Sequence, residues 1–137
     1  MSTSAKWLGR VTLGFATLIF LLIGVKYVHD PASAAAGSGM SLPSPLGFTN
    51  MRAGVGGFAI GCALITMTCL VSPDRLRSGL WFVVGMLAPV LVVRLYGTVA
   101  DGTFLESLRI LIPETLLLAL ASAGIALSQG EALPEAP

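Results

Sequence analysis

The chain is 137 residues long, 55% hydrophobic and 11% charged, whereas an ordinary soluble domain carries roughly a quarter charged residues; a water-soluble globule is excluded. Eight Lys and Arg against seven Asp and Glu leave a formal charge of +1, so no basic surface is available to neutralise a row of phosphates, and nucleic acid is excluded as a partner. Cys62 and Cys69 share one apolar stretch, and a helix separates them by roughly 10 Å, too far to bridge.

A bilayer's hydrocarbon core is about 30 Å thick and asks for about 20 mostly apolar residues per helix. Four stretches near that length occupy most of the chain. The first helix is expected at residues 7–27, with Arg10 and Lys26 flanking an uncharged centre and Trp7 and Tyr27 suited to the two interfaces. A rival reading takes Lys6, Arg10, the apolar run and then Ala32-Ser33-Ala34 as a signal peptide with a small-residue cleavage site. Lys26, His29 and Asp30 stand between the run and that site, which favours a retained helix.

Residues 28–50 form the only long connection. They are rich in Ala, Ser, Gly and Pro without a strong period, and are expected to lie against the membrane surface or over the mouth of the bundle. The second helix is expected at 51–71, entered through Asn50 as N-cap. Ser72-Pro73-Asp74 closes it and opens the third, with Ser72 as N-cap, Pro73 at the first helical position and Asp74 in the first turn. Helices two and three are therefore joined tightly and expected antiparallel.

The third helix is expected at 73–99, kinked at Pro89 and carrying Arg94 in its last third. Thr103 with Glu106 makes a capping-box pattern, which starts the fourth helix at Phe104 and runs it over 104–128. Pro113 falls inside it, and the carbonyl it frees must find another partner. Residues 130–137 are expected to fray. No internal repeat is evident. The fold expected is an all-α, four-transmembrane-helix bundle running up-down-up-down, one membrane domain over residues 1–137. With Arg52 and Arg94 assigned to helices, Lys6, Arg10, Arg75 and Arg77 on one side outnumber Lys26 and Arg109 on the other, which places both termini in the cytoplasm.

A charged side chain at the centre of a lipid-embedded helix costs about 2.5 to 3.5 kcal/mol on insertion scales, so Arg94 and Glu114 invite a functional hypothesis. Glu114 lies about 15 Å along the fourth helix and Arg94 about 9 Å back from the end of the third. Both distances count from the same loop. The depths differ by about 6 Å, within an arginine's reach, and the two are expected to pair inside the bundle. Arg52 enters from that side too; if it joins, two positive charges face one negative, an excess suited to an anionic headgroup, a carboxylate or a polarised carbonyl. Otherwise Arg94 and Glu114 neutralise each other and fix helix register, with Arg52 at the headgroups. Arg109 and Glu106, one turn apart, are expected to make a local surface pair.

Ala53, Gly57 and Gly61 recur at i, i+4, i+8, with Gly54 and Gly56 beside them, a spacing that lets helix backbones approach closely in lipid. Gly54-Val55-Gly56-Gly57 is no phosphate loop, because no strand precedes it. His29 stands alone at a helix end, without ligands at metal-binding spacing, and the cysteines read as small apolar packing groups. No nucleophile elbow, paired-carboxylate site or phosphate-binding signature appears. Neither a catalytic residue, a metal nor a cofactor is expected.

Leu42-Pro43, the run Asn50-Met51-Arg52-Ala53-Gly54-Val55-Gly56-Gly57, Arg94-Leu95 followed by Asp101-Gly102, and the embedded Glu114 together resemble the bacterial domain-of-unknown-function family 4345. The likeness covers nearly the whole chain from Lys6 to Leu127. It implies small integral proteins of four helices in the bacterial inner membrane, and no reaction. Where that family usually carries an aromatic residue before Gly-Gly, this chain has Val55. The role expected is a non-enzymatic accessory or scaffolding subunit of a larger membrane complex, packing through the Gly-rich helix; the alternative is a binder or carrier of a small molecule or lipid at Arg52, Arg94 and Glu114. A membrane enzyme acting on lipid or quinone has no general base other than Glu114.

Overall fold

The computed structural model describes residues 3–129, which hold helices and no strand. Helix α1 runs Thr3–His29. Two short helices follow, α2 at Pro31–Ala36 and α3 at Pro45–Met51. From α3 the chain continues through a π-helical segment, Arg52–Gly57, into α4, Phe58–Val71. A single 3-10 turn, Pro73–Arg75, leads into α5, Leu76–Ala100, and α6 occupies Phe104–Gln129. Among the described residues four helical spans are long and apolar enough to cross a membrane: Thr3–His29, Pro45–Val71, Pro73–Ala100 and Phe104–Ser128. The expected frayed tail lies outside the described residues.

The second span starts earlier than Asn50 implied. Ser44 is the N-cap, its hydroxyl accepting from the Gly47 N–H at 3.2 Å, and Pro45 takes the first helical position. Pro at that position wastes no hydrogen bond and is already at helical φ, so the Ser-Pro pair outcompetes Asn50 as a start. The long connection holds a second such start: Asp30 caps α2 by accepting from Ser33 N–H at 3.1 Å, with Pro31 behind it. Ala34 and Ala35 of α2 are buried, and Tyr27 is buried too, its hydroxyl 3.3 Å from that of Ser38. Tyr27 thus anchors the connection to the end of α1, while Trp7 at the other end is exposed. At the foot of α5, Gly102 takes a positive φ of 68° and Thr103 N–H returns to Thr98 C=O at 3.1 Å, the six-to-one bond that stops a helix and that a side chain at Gly102 would strain.

The core draws on all four spans, with Leu13 and Phe20 from α1, Cys62 and Ala63 from α4, Leu80 and Val83 from α5, and Leu117 and Ala121 from α6. Outward positions are as apolar as inward ones: Leu22, Leu64, Val92, Val93 and Leu116 are all exposed. Such a surface is stable only against hydrocarbon, and between lipid-bathed helices association rests on close packing, since burial from lipid yields no hydrophobic gain. One close approach joins α1 to the second span, and another seats Gly79 of α5 against Cys69 and Leu13, where an added Cβ would stand 2.6 Å and 2.7 Å away. A Cβ added at Gly24 would stand 2.6 Å from the Ile60 side chain and 3.0 Å from the Gly56 carbonyl oxygen; one added at Gly56 would meet the Val28 side chain at 2.8 Å.

The expected row Ala53, Gly57 and Gly61 is not the one that packs within the chain. Ala53 and Gly57 are exposed and Gly61 is only half-buried; a Cβ built at Gly61 meets nothing within 4 Å, and one at Gly57 meets only the Arg52 carbonyl oxygen at 3.7 Å. Within the chain the packing glycine is Gly56. The buried face of α4, through Ala59, Cys62, Ala63, Thr66 and Cys69, extends back with helical spacing to Gly56, one residue out of phase with the Gly57-Gly61 row.

Candidate functional site

Arg94 sits on α5 six residues before Ala100, and Glu114 on α6 one residue after Pro113. The helices bring them together as a two-pronged pair: Arg94 Nε donates to Glu114 Oε2 at 2.8 Å, and Nη2 donates to Oε1 at 2.9 Å. Fork-on-fork geometry of this kind is the strongest form of a charge-assisted hydrogen bond. The side chains keep 32% and 18% of their surface exposed, so the pair lies at the flank of the bundle, outside the packed core.

Arg52 is bound elsewhere: its Nε donates to the Val28 carbonyl oxygen at 3.1 Å. That carbonyl belongs to the last turn of α1, where intrahelical donors run out and a cation is favoured by the helix dipole. The structure therefore joins Arg94 to Glu114 and ties Arg52 to the end of α1. One guanidinium faces one carboxylate, and the pair is electrically closed. The local pair expected between Glu106 and Arg109 is not formed among the described residues. Both are exposed, and exposed opposite charges gain little from meeting.

Two hollows flank the pair. On the outside, a groove of about 420 Å³ is lined by Pro89, Val90, Val93 and Arg94. On the inside, a hollow of about 210 Å³ between α1, α5 and α6 is lined by Glu114 with Phe20, Met86 and Leu87 among its apolar walls. Val90 lines both. A larger hollow, about 640 Å³ along α5 and α6 between Leu91, Leu95, Phe104 and Leu108, is lined by no charged residue. Its apolar, lateral character suits acyl chains and leaves the chemistry to the pair.

Three features of the interior escaped sequence reading. Thr17 donates its hydroxyl to that of Thr66 at 2.8 Å in a buried bond between α1 and α4, and Thr66 bonds back to the Cys62 carbonyl. Thr12 is fully buried, and its hydroxyl has no hydrogen-bond partner. Gly24 is the other half of the Gly56 contact. The available signal is the helical spacing of Thr12, Ala16, Phe20 and Gly24, all buried on one face of α1. Cys62 and Cys69 are free and buried, and the Cys62 sulfur lies 3.3 Å from that of Met86. Among the described residues no cluster of three or more His, Cys, Asp or Glu is placed to hold a metal.

A family model described as "domain of unknown function (DUF4345)" matches residues 8–123. No curated protein and no solved structure matches the chain.

Proposed function

We propose, for a chain that belongs to the family of the domain of unknown function DUF4345, a non-catalytic role as an integral membrane protein: an accessory or scaffolding subunit that presents the Gly57-Gly61 face of its second span to a transmembrane helix of another protein. The observation that carries this reading is the empty space over that face. Gly54 and Gly61 have nothing within 4 Å of an added Cβ, while the chain's own close approach uses Gly24 and Gly56 instead. Small residues in lipid earn their place by admitting a neighbouring backbone, and a second helix is the neighbour that fits.

An up-down-up-down course is supported by the contact register. Gly24 meets Ile60 while Thr17 meets Thr66, and Gly124 meets Leu80 while Glu114 meets Arg94; in each couple the partner numbers fall as the first numbers rise. The charge count at the helix ends then favours cytoplasmic termini, and the family resemblance favours a bacterial inner membrane. The Arg94–Glu114 pair serves in this reading to lock α5 against α6.

The experiment is a double substitution, Gly57→Leu with Gly61→Leu, expressed in native membranes and extracted in mild detergent. The open space predicts an unchanged fold and unfolding midpoint, together with a shift from a larger assembly to the mass of the lone chain. Retention of the larger assembly by the substituted protein, or a lone chain before substitution under several gentle extractions, refutes the role.

A further inference from the structure

The hollow beside Glu114 does not stand alone. A second partly enclosed hollow, about 250 Å³, lies between Val11, Thr12 and Phe15 of α1 and Leu116 and Leu120 of α6. The two meet at Ile19, Pro113 and Leu117, which line both. Pro113, which has no N–H to offer the preceding turn, stands at the junction inside α6. Together the two hollows make a slender slot along α1 and α6. From Thr12 to Ile23, which lines the far part, it extends about 16 Å at the helical rise.

Its walls are apolar except at two places. At one end is Glu114, whose two oxygens each take one bond from Arg94 and each retain a lone pair able to accept another. Near the other end is Thr12, fully buried with an unpartnered hydroxyl, a state rare enough in native structures to need a reason. Thr12 is among the residues lining the slot, and a change between the two χ1 rotamers open to a helical threonine is the movement by which its hydroxyl would meet an occupant.

We infer that this slot binds a slender, uncharged chain molecule with an oxygen function near each end, one hydroxyl donating to Glu114 and the other oxygen pairing with Thr12. Charge selects the class. The Arg94–Glu114 pair is neutral and Arg52 is committed to Val28, so an anionic head meets Glu114 with no spare cation, and a cationic head meets Arg94 with no spare anion. A neutral hydroxyl completes the carboxylate's acceptors without disturbing the pair. The apolar walls and the narrow section admit one alkyl or prenyl chain. The site is distinct from the Gly57-Gly61 face and does not depend on the scaffolding role.

The test uses the full chain in lipid nanodiscs with a photoreactive, diazirine-bearing dodecanediol, competed by unlabelled dodecanediol, dodecanol or dodecanoate. Saturable labelling centred on Ile19, Leu116 and Leu120 is expected. Dodecanediol should compete about tenfold better than dodecanol and better still than dodecanoate, tenfold being the size of one net hydrogen bond. Thr12→Val, close to Thr in shape, should keep the fold and bring dodecanediol down to the level of dodecanol. Ile19→Trp, which fills the junction, should abolish saturable labelling while Arg94 and Glu114 stay paired. Unsaturable labelling spread over lipid-facing Val92 and Val93, equal competition by dodecanoate, or diol binding unchanged in Thr12→Val overturns the proposal.

Discussion

Removing either member of the Arg94–Glu114 pair should cost stability, because it leaves the other charge without its counterpart among apolar surroundings. In Glu114→Leu the arginine remains, and a guanidinium cannot be deprotonated in a protein. Insertion scales put a lone arginine at a helix centre at about 2.5 to 3.5 kcal/mol. Arg94 stands six residues from the end of α5, about 9 Å, and its side chain is 32% exposed, so snorkelling toward the headgroups recovers part of this and leaves about 2 kcal/mol. In Arg94→Leu the carboxylate loses both hydrogen bonds it accepts from the guanidinium, at about 1 kcal/mol. The double variant removes both charges and should regain most of the loss, since apolar replacement of a paired set is often neutral. The assay is equilibrium unfolding in mixed micelles for all four proteins, arranged as a double-mutant cycle. A coupling energy of about 2 kcal/mol is expected; single losses that add in the double variant to within about 0.5 kcal/mol refute the reasoning.

Two further outcomes follow from the α1–α4 interface. Gly24→Ala forces a Cβ to 2.6 Å from Ile60 and 3.0 Å from backbone atoms of Gly56 and Ile60, and backbone cannot rotate away, so a loss of about 1 to 3 kcal/mol is expected; Gly61→Ala, made into open space, should be neutral or slightly stabilising by thermal unfolding. Thr66→Val leaves the buried Thr17 hydroxyl without the partner it holds at 2.8 Å. It should cost about 1 kcal/mol, the scale of interhelical bonds in membranes, with Thr17→Val added to it restoring most of that in the same unfolding assay.

Two of the charged residues show how much of the site the sequence revealed. The depths of Arg94 and Glu114 could be counted from the shared Asp101-Gly102 loop, and in lipid an unpaired charge is costly enough that pairing was the physical default. Arg52 was harder, because an arginine's partners include backbone carbonyls, and a carbonyl at the end of another helix leaves no mark in the residue types. The glycine row left a related question open. Spacing reports which residues share a face, but not which of two adjacent faces the neighbouring helix takes.

Composition and hydrophobic length by themselves determined the number of spans, the surrounding solvent and the ends set by Pro73 and Phe104, because each follows from what a helix of given length tolerates in hydrocarbon. Tertiary structure alone decided that Gly56 and not Gly57 meets α1, and that a slot with Glu114 and Thr12 toward its two ends runs between α1 and α6. Those outcomes depend on rotation and distance between helices, and a linear pattern constrains neither until the packing of one backbone on another selects them.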